Sequence, residues 1–321
     1  MKYRSFGSTN LKVSEIGFGG WGIGGNKGNS SAYGPTNDDD SVEALNEACE
    51  RGINFYDTSP LYGLGHSEQL IGKSFKDKRK KLIYATKVGY TNYRGDQDFS
   101  AEFIENSLNQ SLKRLKTDYV DILQMHDIPL SIIKDSNDLI ETLNLLKKKG
   151  KCRYFGVSNK TQEDSKYVVN EKLFESIQLN FNLIDQRVIN NDLFNDFKKN
   201  NIAIICKTPL CFGFLTGKYN LKTMFHSDDH RSRWSKEQIK LWSNSLNFFL
   251  TNLKDFDDQS SAQFALRFCL SFNEISTIIP GMLNKKQVIE NTKSSDFEHY
   301  SKEVLNNLRN IYNNNNFFVK N

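Results

Sequence analysis

The chain has 321 residues, 38% of them hydrophobic and 25% charged, with a net charge of +5. That balance is ordinary for a globular protein and excludes a disordered or fibrous chain. The length suits one large α/β barrel or two average domains, and a core of that size needs no disulfide staples.

Lys2–Leu11 reads as an extra hairpin turning near Gly7–Asn10, followed by a first strand over Glu15–Phe18. Gly17-Phe18-Gly19-Gly20-Trp21-Gly22 fits G-x-G-x-x-G. No helix is expected to open there, because polar, glycine-rich sequence runs on to about Pro35. A Rossmann fingerprint needs its third glycine inside a helix, so a loop above a barrel strand is the better reading. Gly20 and Trp21 are candidates for facing a cofactor from that loop, although Trp21 could as well be a packing residue. Asp40–Arg51 has helical spacing and closes on Gly52, a C′ glycine. A strand over Ile53–Tyr56, a helix over Ser67–Phe75 and a strand over Leu82–Thr86 come next. Ser100–Leu115 takes Ser100 as N-cap and carries Phe103, Ile104, Leu108, Leu112 and Leu115 on one stripe. Further strands fall at Tyr119–Gln124, Tyr154–Val157, Ile177–Leu179, Ile202–Cys206 and Ser276–Ile279. Between them lie helical patterns over Ser136–Lys149, Thr161–Val169, Asn190–Lys199 and Ser260–Ser271.

Several strands are continuous apolar runs, as strands covered on both faces are. Eight strands alternating with helices predict an α/β fold: a (β/α)8 TIM barrel with an N-terminal β-hairpin (residues 1–12) and long loops at its carboxyl end. An open doubly wound sheet is the runner-up. No linker divides the chain, so residues 1–321 are expected to form one domain. Leu210–Trp234 is longer than an ordinary βα loop, and loops of that length are functional or disordered. Residues 312–321, with the polar run Asn313–Asn316, are expected to fray.

Cys49, Cys152, Cys206, Cys211 and Cys269 form no C-x-x-C pair. Free thiols in a reducing cytoplasm are expected, with neither a disulfide framework nor a metal site. Neither a secretory signal nor an apolar run near the ~20 residues of a membrane span is found. The basic runs Lys76–Lys81 and Lys147–Lys151 follow helices, where cations suit the dipole. No aromatic interleaving points to nucleic acid.

Four polar residues lie at or just beyond the ends of apolar runs: Asp57, Tyr62, Lys87 and His126. Each has a plain reading, as turn residue, packing aromatic, ion-pair partner or satisfied loop histidine. Together, at the carboxyl ends of consecutive barrel strands, they make a proton-transfer site. Lys87 would lower the pKa of the Tyr62 phenol, Asp57 would balance Lys87, and His126 would hydrogen-bond a substrate carbonyl oxygen or relay the proton. Protonating an oxygen while carbon gains hydride requires a hydride donor, and a nicotinamide cofactor supplies one.

These motifs resemble the aldo-keto reductase family nearly end to end. The similarity rests on MKYRSFGSTNLKVSEIGFGGWGIGG, INFYDTSPLYGLGHSEQLIG, YATKV and DILQMHD. It implies NADPH-dependent carbonyl reduction with Tyr62 as general acid and Asp57, Lys87 and His126 as its companions. GVSN and QLNFNL resemble the nicotinamide-carboxamide contacts, through Ser158, Asn159 and Gln178. TPLCFGFLTGKY resembles the pyrophosphate loop, with Pro209, Leu210, Gly213, Leu215 and Lys218. IIPGMLNKKQVIEN resembles the adenosine segment, with Gly281, Leu283, Gln287, Glu290 and Asn291 and a helix starting near Asn284 to suit an anion. FHSDDHRSRW (Phe225–Trp234) resembles a segment found in a subset of bacterial-type members and is expected to form a lid over the cofactor. Two positions depart. Lys207 stands where many relatives stack an aromatic on the nicotinamide, so stacking is lost or supplied elsewhere. Gln287 stands where some use arginine on the 2′-phosphate, with Lys285 or Lys286 to substitute. NADPH (NADP+) is expected in preference to NADH.

The first expected function is reduction of a small aldehyde or ketone. A second is reduction of a sugar or nucleotide-linked sugar, for which Asn26, Asn29 and Asn92 are polar loop residues. A third, also found among relatives, is a cofactor-binding regulatory subunit reporting redox state. Neither nucleic acid nor membrane is an expected partner.

Overall fold

The computed structural model describes residues 1–27, 32–159, 161–171, 173–251 and 258–319. A hairpin of β1 (Tyr3–Ser5) and antiparallel β2 (Lys12–Ser14) leads the chain. Eight parallel strands follow: β3 (Phe18–Gly19), β4 (Phe55–Asp57), β5 (Ile83–Val88), β6 (Val120–His126), β7 (Cys152–Ser158), β8 (Ser176–Asn180), β9 (Ala203–Lys207) and β10 (Ile275–Ile278). They pair in chain order from β3 to β10. Parallel bridges from Ile16 to Ile278 and from Gly19 to Gly281 join the two ends, closing a TIM barrel.

The helices through the middle of the barrel are α1 (Trp21–Gly24), α2 (Asp38–Glu50), α3 (His66–Ser74), α4 (Ala101–Leu115), α5 (Leu130–Lys134), α6 (Asn137–Lys148) and α7 (Gln162–Glu171). They are followed by α8 (Arg187–Asn190), α9 (Leu193–Lys199), α10 (Lys236–Leu250), α11 (Ser261–Leu270), α12 (Lys285–Thr292) and α13 (Lys302–Asn313). None of these is long and apolar enough to cross a membrane.

Strand periodicity explains how the barrel makes a site. Alternate residues point to opposite faces. Outward residues such as Tyr56, Tyr84, Leu123, Val157 and Ile204 pack under the helices, while Phe55, Ile83, Ala85, Ile122 and Ile205 fill the interior. Continuing each inward row by two residues replaces an apolar side chain with a polar group. Phe55 leads to Asp57, Ala85 to Lys87, Ile122 to Gln124 and then His126, and Ile205 to Lys207. The amino end of the barrel is therefore apolar and the carboxyl end polar.

The hairpin closes the amino end. Phe6, Leu11 and Val13 pack on Phe55, Ile83, Ile122 and Ile205. Gly7 lies at φ +52°, and a Cβ there would sit 2.5 Å from the Ala203 nitrogen, so only glycine fits the contact. The Arg4 guanidinium joins the hairpin to the far end of the chain. It donates to Glu15 Oε2 (2.8 Å) and to the carbonyls of Leu270 (2.5 Å), Phe272 and Ile275 (both 2.9 Å).

The structure differs from the sequence-based expectation at several places. One helical turn, α1, does open on the glycine-rich loop, with Gly22 inside it. It is too short to be the helix of a βαβ unit. The pattern over Asn190–Lys199 splits into α8 and α9, with Asp192 at φ +55° between them. Helices α10 and α13 were not anticipated. Each starts on a serine cap, Ser235 and Ser301, and α13 packs Leu305, Leu308 and Tyr312 despite its many asparagines. As far as Val319, the last described residue, the tail is docked where fraying was expected. The Phe317 carbonyl accepts from Trp242 Nε1 (2.8 Å) and Gln238 Nε2 (3.0 Å), and its ring is buried against Phe249 and Tyr312.

Candidate active site

Asp57 is the hub of the polar rim. Both it and Lys87 are buried. A buried carboxylate needs every oxygen satisfied. Lys87 Nζ donates to Asp57 Oδ1 (2.5 Å), while Gln124 Nε2 (2.8 Å) and Gln178 Nε2 (2.7 Å) donate to Oδ2. The remaining Lys87 protons go to the Thr58 carbonyl (3.0 Å) and the Tyr62 hydroxyl (3.1 Å). Sequence reasoning missed Gln124. Its signal was a polar residue inside an apolar run, in the inward register shared with His126.

Tyr62 is delivered by a tight loop. Its nitrogen donates to the Ser59 carbonyl and its carbonyl accepts from the Ser67 nitrogen at the start of α3. Gly63, at φ +62°, lies so close to the Gly24 carbonyl of α1 that a Cβ would collide with it. Loop and helix thus fix the phenol against Lys87. His126 stands edge-on to Tyr90 at 4.9 Å, and the adjacent Asp127 accepts from Tyr90 Oη (3.0 Å). Gln97 Nε2 holds the His126 carbonyl at 3.0 Å.

Two opposing effects set the Tyr62 pKa. Burial raises it, Lys87 lowers it less, and the net result is about 12. The phenol is thus a protonated donor across the neutral range. Burial pulls the Lys87 pKa down, but the Asp57 charge and the hydrogen bonds to Asp57 and Tyr62 outweigh that and leave it raised.

A cleft of about 560 Å³ opens over this cluster. Its wall includes Asp57, Tyr62 and His126, together with Trp21, Gln178, Lys207, Pro209, Leu210, Gly213, Lys218, Gly281, Leu283, Gln287, Glu290 and Asn291. The structure therefore gathers residues expected to hold three parts of a dinucleotide into one continuous surface. It also adds Tyr33, Asn180, Phe212, Tyr219 and Arg231, which sequence reasoning did not single out.

Other expected residues lie behind the wall. Lys87 is enclosed by Asp57 and Tyr62. Gly20 is a packing position, its nitrogen donating to the Asp57 carbonyl (2.8 Å) and its carbonyl accepting from Ser67 Oγ (2.8 Å). Leu215 is fully buried in the core. Ser158 and Asn159 are buried beneath Lys207, whose Nζ donates to Ser158 Oγ (3.0 Å) and to the Asn159 carbonyl (3.1 Å). Asn159 Oδ1 is buried with no hydrogen-bond partner among the described residues.

At the other end of the cleft, Asn284 caps α12 and its Oδ1 accepts from the Gln287 nitrogen (3.0 Å). Gln287 Oε1 accepts from the Leu283 nitrogen (2.7 Å). Lys285, one of two expected phosphate ligands, instead faces α2, its Nζ 3.6 Å from Glu43 and 3.4 Å from Glu47.

The expected lid is fastened to the loop after β3. Arg231 pairs with Asp229 through two bonds and donates to the Tyr219 hydroxyl (2.6 Å) and the Phe212 carbonyl (3.1 Å). The His230 nitrogen donates to the Ala32 carbonyl, and Asn26 Nδ2 donates to the Asp228 carbonyl (2.7 Å). The His230 ring is packed against Trp21, Tyr33, Phe212 and Trp234. Burial lowers its pKa to about 4. Of the asparagines considered for a hydroxylated ligand, Asn92 is engaged with Asp96 and Arg94 of its own loop, and Asn29 lies outside the described residues.

Comparison with known proteins gives a consistent picture. The Aldo/keto reductase family matches this chain over residues 15–313. The chain is 33% identical over 300 residues to L-galactose dehydrogenase of Arabidopsis thaliana, covering 91% of this chain and 87% of that protein. It is 33% identical over 280 residues to the aldo-keto reductase YhdN of Bacillus subtilis, covering 84% and 81%. Its fold is similar to that of the glycerol dehydrogenase AKR11B4 from Gluconobacter oxydans. That match has a TM-score of 0.81 and 25% identity over 99% of this chain and 97% of that one.

Proposed function

Since the chain belongs to the aldo-keto reductase family, an oxidoreductase family, we propose that it reduces a small aldehyde or ketone, with Tyr62 as the proton donor. The observation that carries this reading is the Asp57–Lys87–Tyr62 chain of hydrogen bonds opening on the cleft.

A nicotinamide cofactor fits the residues present. The unpartnered Asn159 Oδ1 is a buried acceptor of the kind a carboxamide amine satisfies. Ser158, Asn159 and Gln178 would hold the carboxamide. Pro209, Leu210, Gly213 and Lys218 would follow the pyrophosphate, and Gly281, Leu283, Gln287, Glu290 and Asn291 the adenosine. NADPH in preference to NADH rests on Lys286 and the α12 N-terminus, because Lys285 is engaged with α2. When bound, the cofactor supplies the hydride that reaches the carbonyl carbon.

The chain's own groups handle the oxygen. Tyr62 Oη donates to the carbonyl oxygen and transfers its proton as negative charge develops there. Lys87, 3.1 Å away, stabilises the phenolate left behind, and Asp57 keeps Lys87 charged. His126 orients the carbonyl from the neighbouring strand. Tyr62→Phe should cost ~10²–10⁴-fold in rate and leave nucleotide affinity within about twofold of wild type. Following NADPH absorbance against a panel of aldehydes, ketones and sugars checks this. Reduction by the variant at the wild-type rate would overturn the role of Tyr62. Tight nucleotide binding without turnover on any carbonyl would instead favour the regulatory reading.

Reduction of a sugar or polyol is the second reading. The similarities to an L-galactose dehydrogenase and a glycerol dehydrogenase support it, as do Asn180 and Tyr93 on the cleft wall. The absence of disulfides among the five cysteines supports a cytoplasmic location.

A further inference from the structure

Gln124 is a buried amide to which the proton-transfer chemistry gives no role. It lies in the inward row of β6, where Ile122 two residues earlier is aliphatic, and it pairs with Lys87 of β5 and Gly156 of β7. A Cβ at Gly156 would sit 3.3 Å from Gln124 Cγ and would collide with Ser176 Oγ, so glycine leaves room for the amide. Burying a polar side chain is unfavourable unless its ends are bonded, and here both are. Nε2 donates to Asp57 Oδ2 at 2.8 Å, and Oε1 accepts from Gln178 Nε2 at 3.2 Å. Gln178 Nε2 also donates to Asp57 Oδ2, at 2.7 Å. The three side chains thus close a triangle. A carboxylate only accepts, so both amides turn their nitrogens to it. The Gln178 oxygen is left for the cleft, whose wall Gln178 joins, while Gln124 is fully enclosed.

We propose that Gln124 is a positioning residue for carbonyl reduction, acting through Asp57 to keep Lys87 against Tyr62. This rests on the reading above, in which Tyr62 is the proton donor. The last torsion of an aspartate is soft, so the groups bonded to its oxygens set the plane of the carboxylate. Lys87 holds Oδ1 at 2.5 Å, and the two glutamines hold Oδ2. Gln178 faces the cleft, so its amide is shared with whatever binds there. Gln124 is the donor whose surroundings stay the same whether the cleft is full or empty. Without it the carboxylate turns about one remaining Oδ2 bond, Oδ1 carries Lys87 Nζ with it, and the 3.1 Å bond to the Tyr62 hydroxyl lengthens. The phenolate then loses the cation beside it. That loss falls on the chemical step and not on binding of carbonyl or nucleotide.

The test compares the wild type with Gln124→Met, which keeps the length and removes the amide, and with Gln124→Glu. Rates are followed by NADPH absorbance with propanal, DL-glyceraldehyde and cyclohexanone, NADPH dissociation constants by fluorescence, and folding by thermal melts. Gln124→Met should lower kcat about 10–100-fold, the scale of loss from a small misplacement at a reacting site. KM for the carbonyl and Kd for NADPH should stay within about threefold. A protonated glutamic acid can still donate to Asp57 and accept from Gln178. Burial and the Asp57 charge hold that proton on, against the neighbouring Lys87, above the ordinary pKa of ~4.3. Gln124→Glu should therefore approach the wild-type kcat near pH ~5.5 and fall away from it as pH rises toward ~8. This variant carries the test if methionine disturbs folding. Wild-type kcat in Gln124→Met, or a Gln124→Glu loss that is the same at every pH, overturns the role of Gln124. Tyr62→Phe is assayed alongside. Its reduction of the same carbonyls at the wild-type rate, or a wild type that reduces none of them, overturns instead the reading on which this role rests.

Discussion

The Asp57–Lys87 pair shows how little freedom a single side chain has at the rim. Each ion is buried, and each is the other's largest source of compensation. Lys87→Met would leave the carboxylate with only its two glutamine donors, and removing one partner of a buried pair costs about 3–5 kcal/mol. Urea unfolding should show that loss. The proton donor yields a second expectation. Because burial holds Tyr62 at a pKa of about 12, the phenol stays protonated as pH rises through 10. The kcat for reduction should therefore show no fall assignable to Tyr62 between pH 7 and 10, and a pH–rate profile with a tyrosine-type loss centred near 9 would contradict this. His230 behaves in the opposite sense. Its folded pKa of about 4 lies below the ordinary 6.5, so the folded state disfavours the proton. The stability tied to its neutral form is present above about pH 6.5 and is lost as pH falls from there through 4. His230→Phe should show a smaller drop in Tm between pH 7 and 4.5 than the wild type, as read by thermal melts.

The elements were legible where period and caps were strong. The inward rows of β4, β5 and β6 announced Asp57, Lys87 and His126, and Gly52 and Gly150 marked helix ends, at φ +86° and +71°. What the sequence hid depends on contacts between distant segments. The net shift of Tyr62 is one example, since its burial is set by loops far apart in the chain. The direction of Lys285 is another, because it is set by Glu43 and Glu47 on α2. The close approach of α1 to the Tyr62 loop is a third. Gly63→Ala would drive a methyl group into the Gly24 carbonyl and displace Tyr62 from Lys87. The expected result is a fall of at least tenfold in kcat with a lower Tm. Gly24→Ala, which meets the same loop from the other side, should do likewise.

Across the whole molecule, the carboxyl-terminal segment acts as a brace. Phe317 fills a site between α10 and α13, and its carbonyl satisfies the Trp242 indole. Phe317→Ala should destabilise the fold by about 3 kcal/mol, the usual loss for a buried phenylalanine, and denaturant melts would show it. No periodicity predicts such docking, because an isolated Phe317-Phe318 after four asparagines looks like a polar tail.

The seam between β3 and β10 also bears on how the protein is made. Ile16 waits for Ile278, and Arg4 waits for the carbonyls of Leu270, Phe272 and Ile275. During synthesis the first strand therefore leaves the ribosome on the order of tens of seconds before its last neighbour exists. Until then the apolar hairpin and an open strand edge stay uncovered, a surface suited to a chaperone or to aggregation. Closure of the barrel is necessarily a late event in the life of each chain.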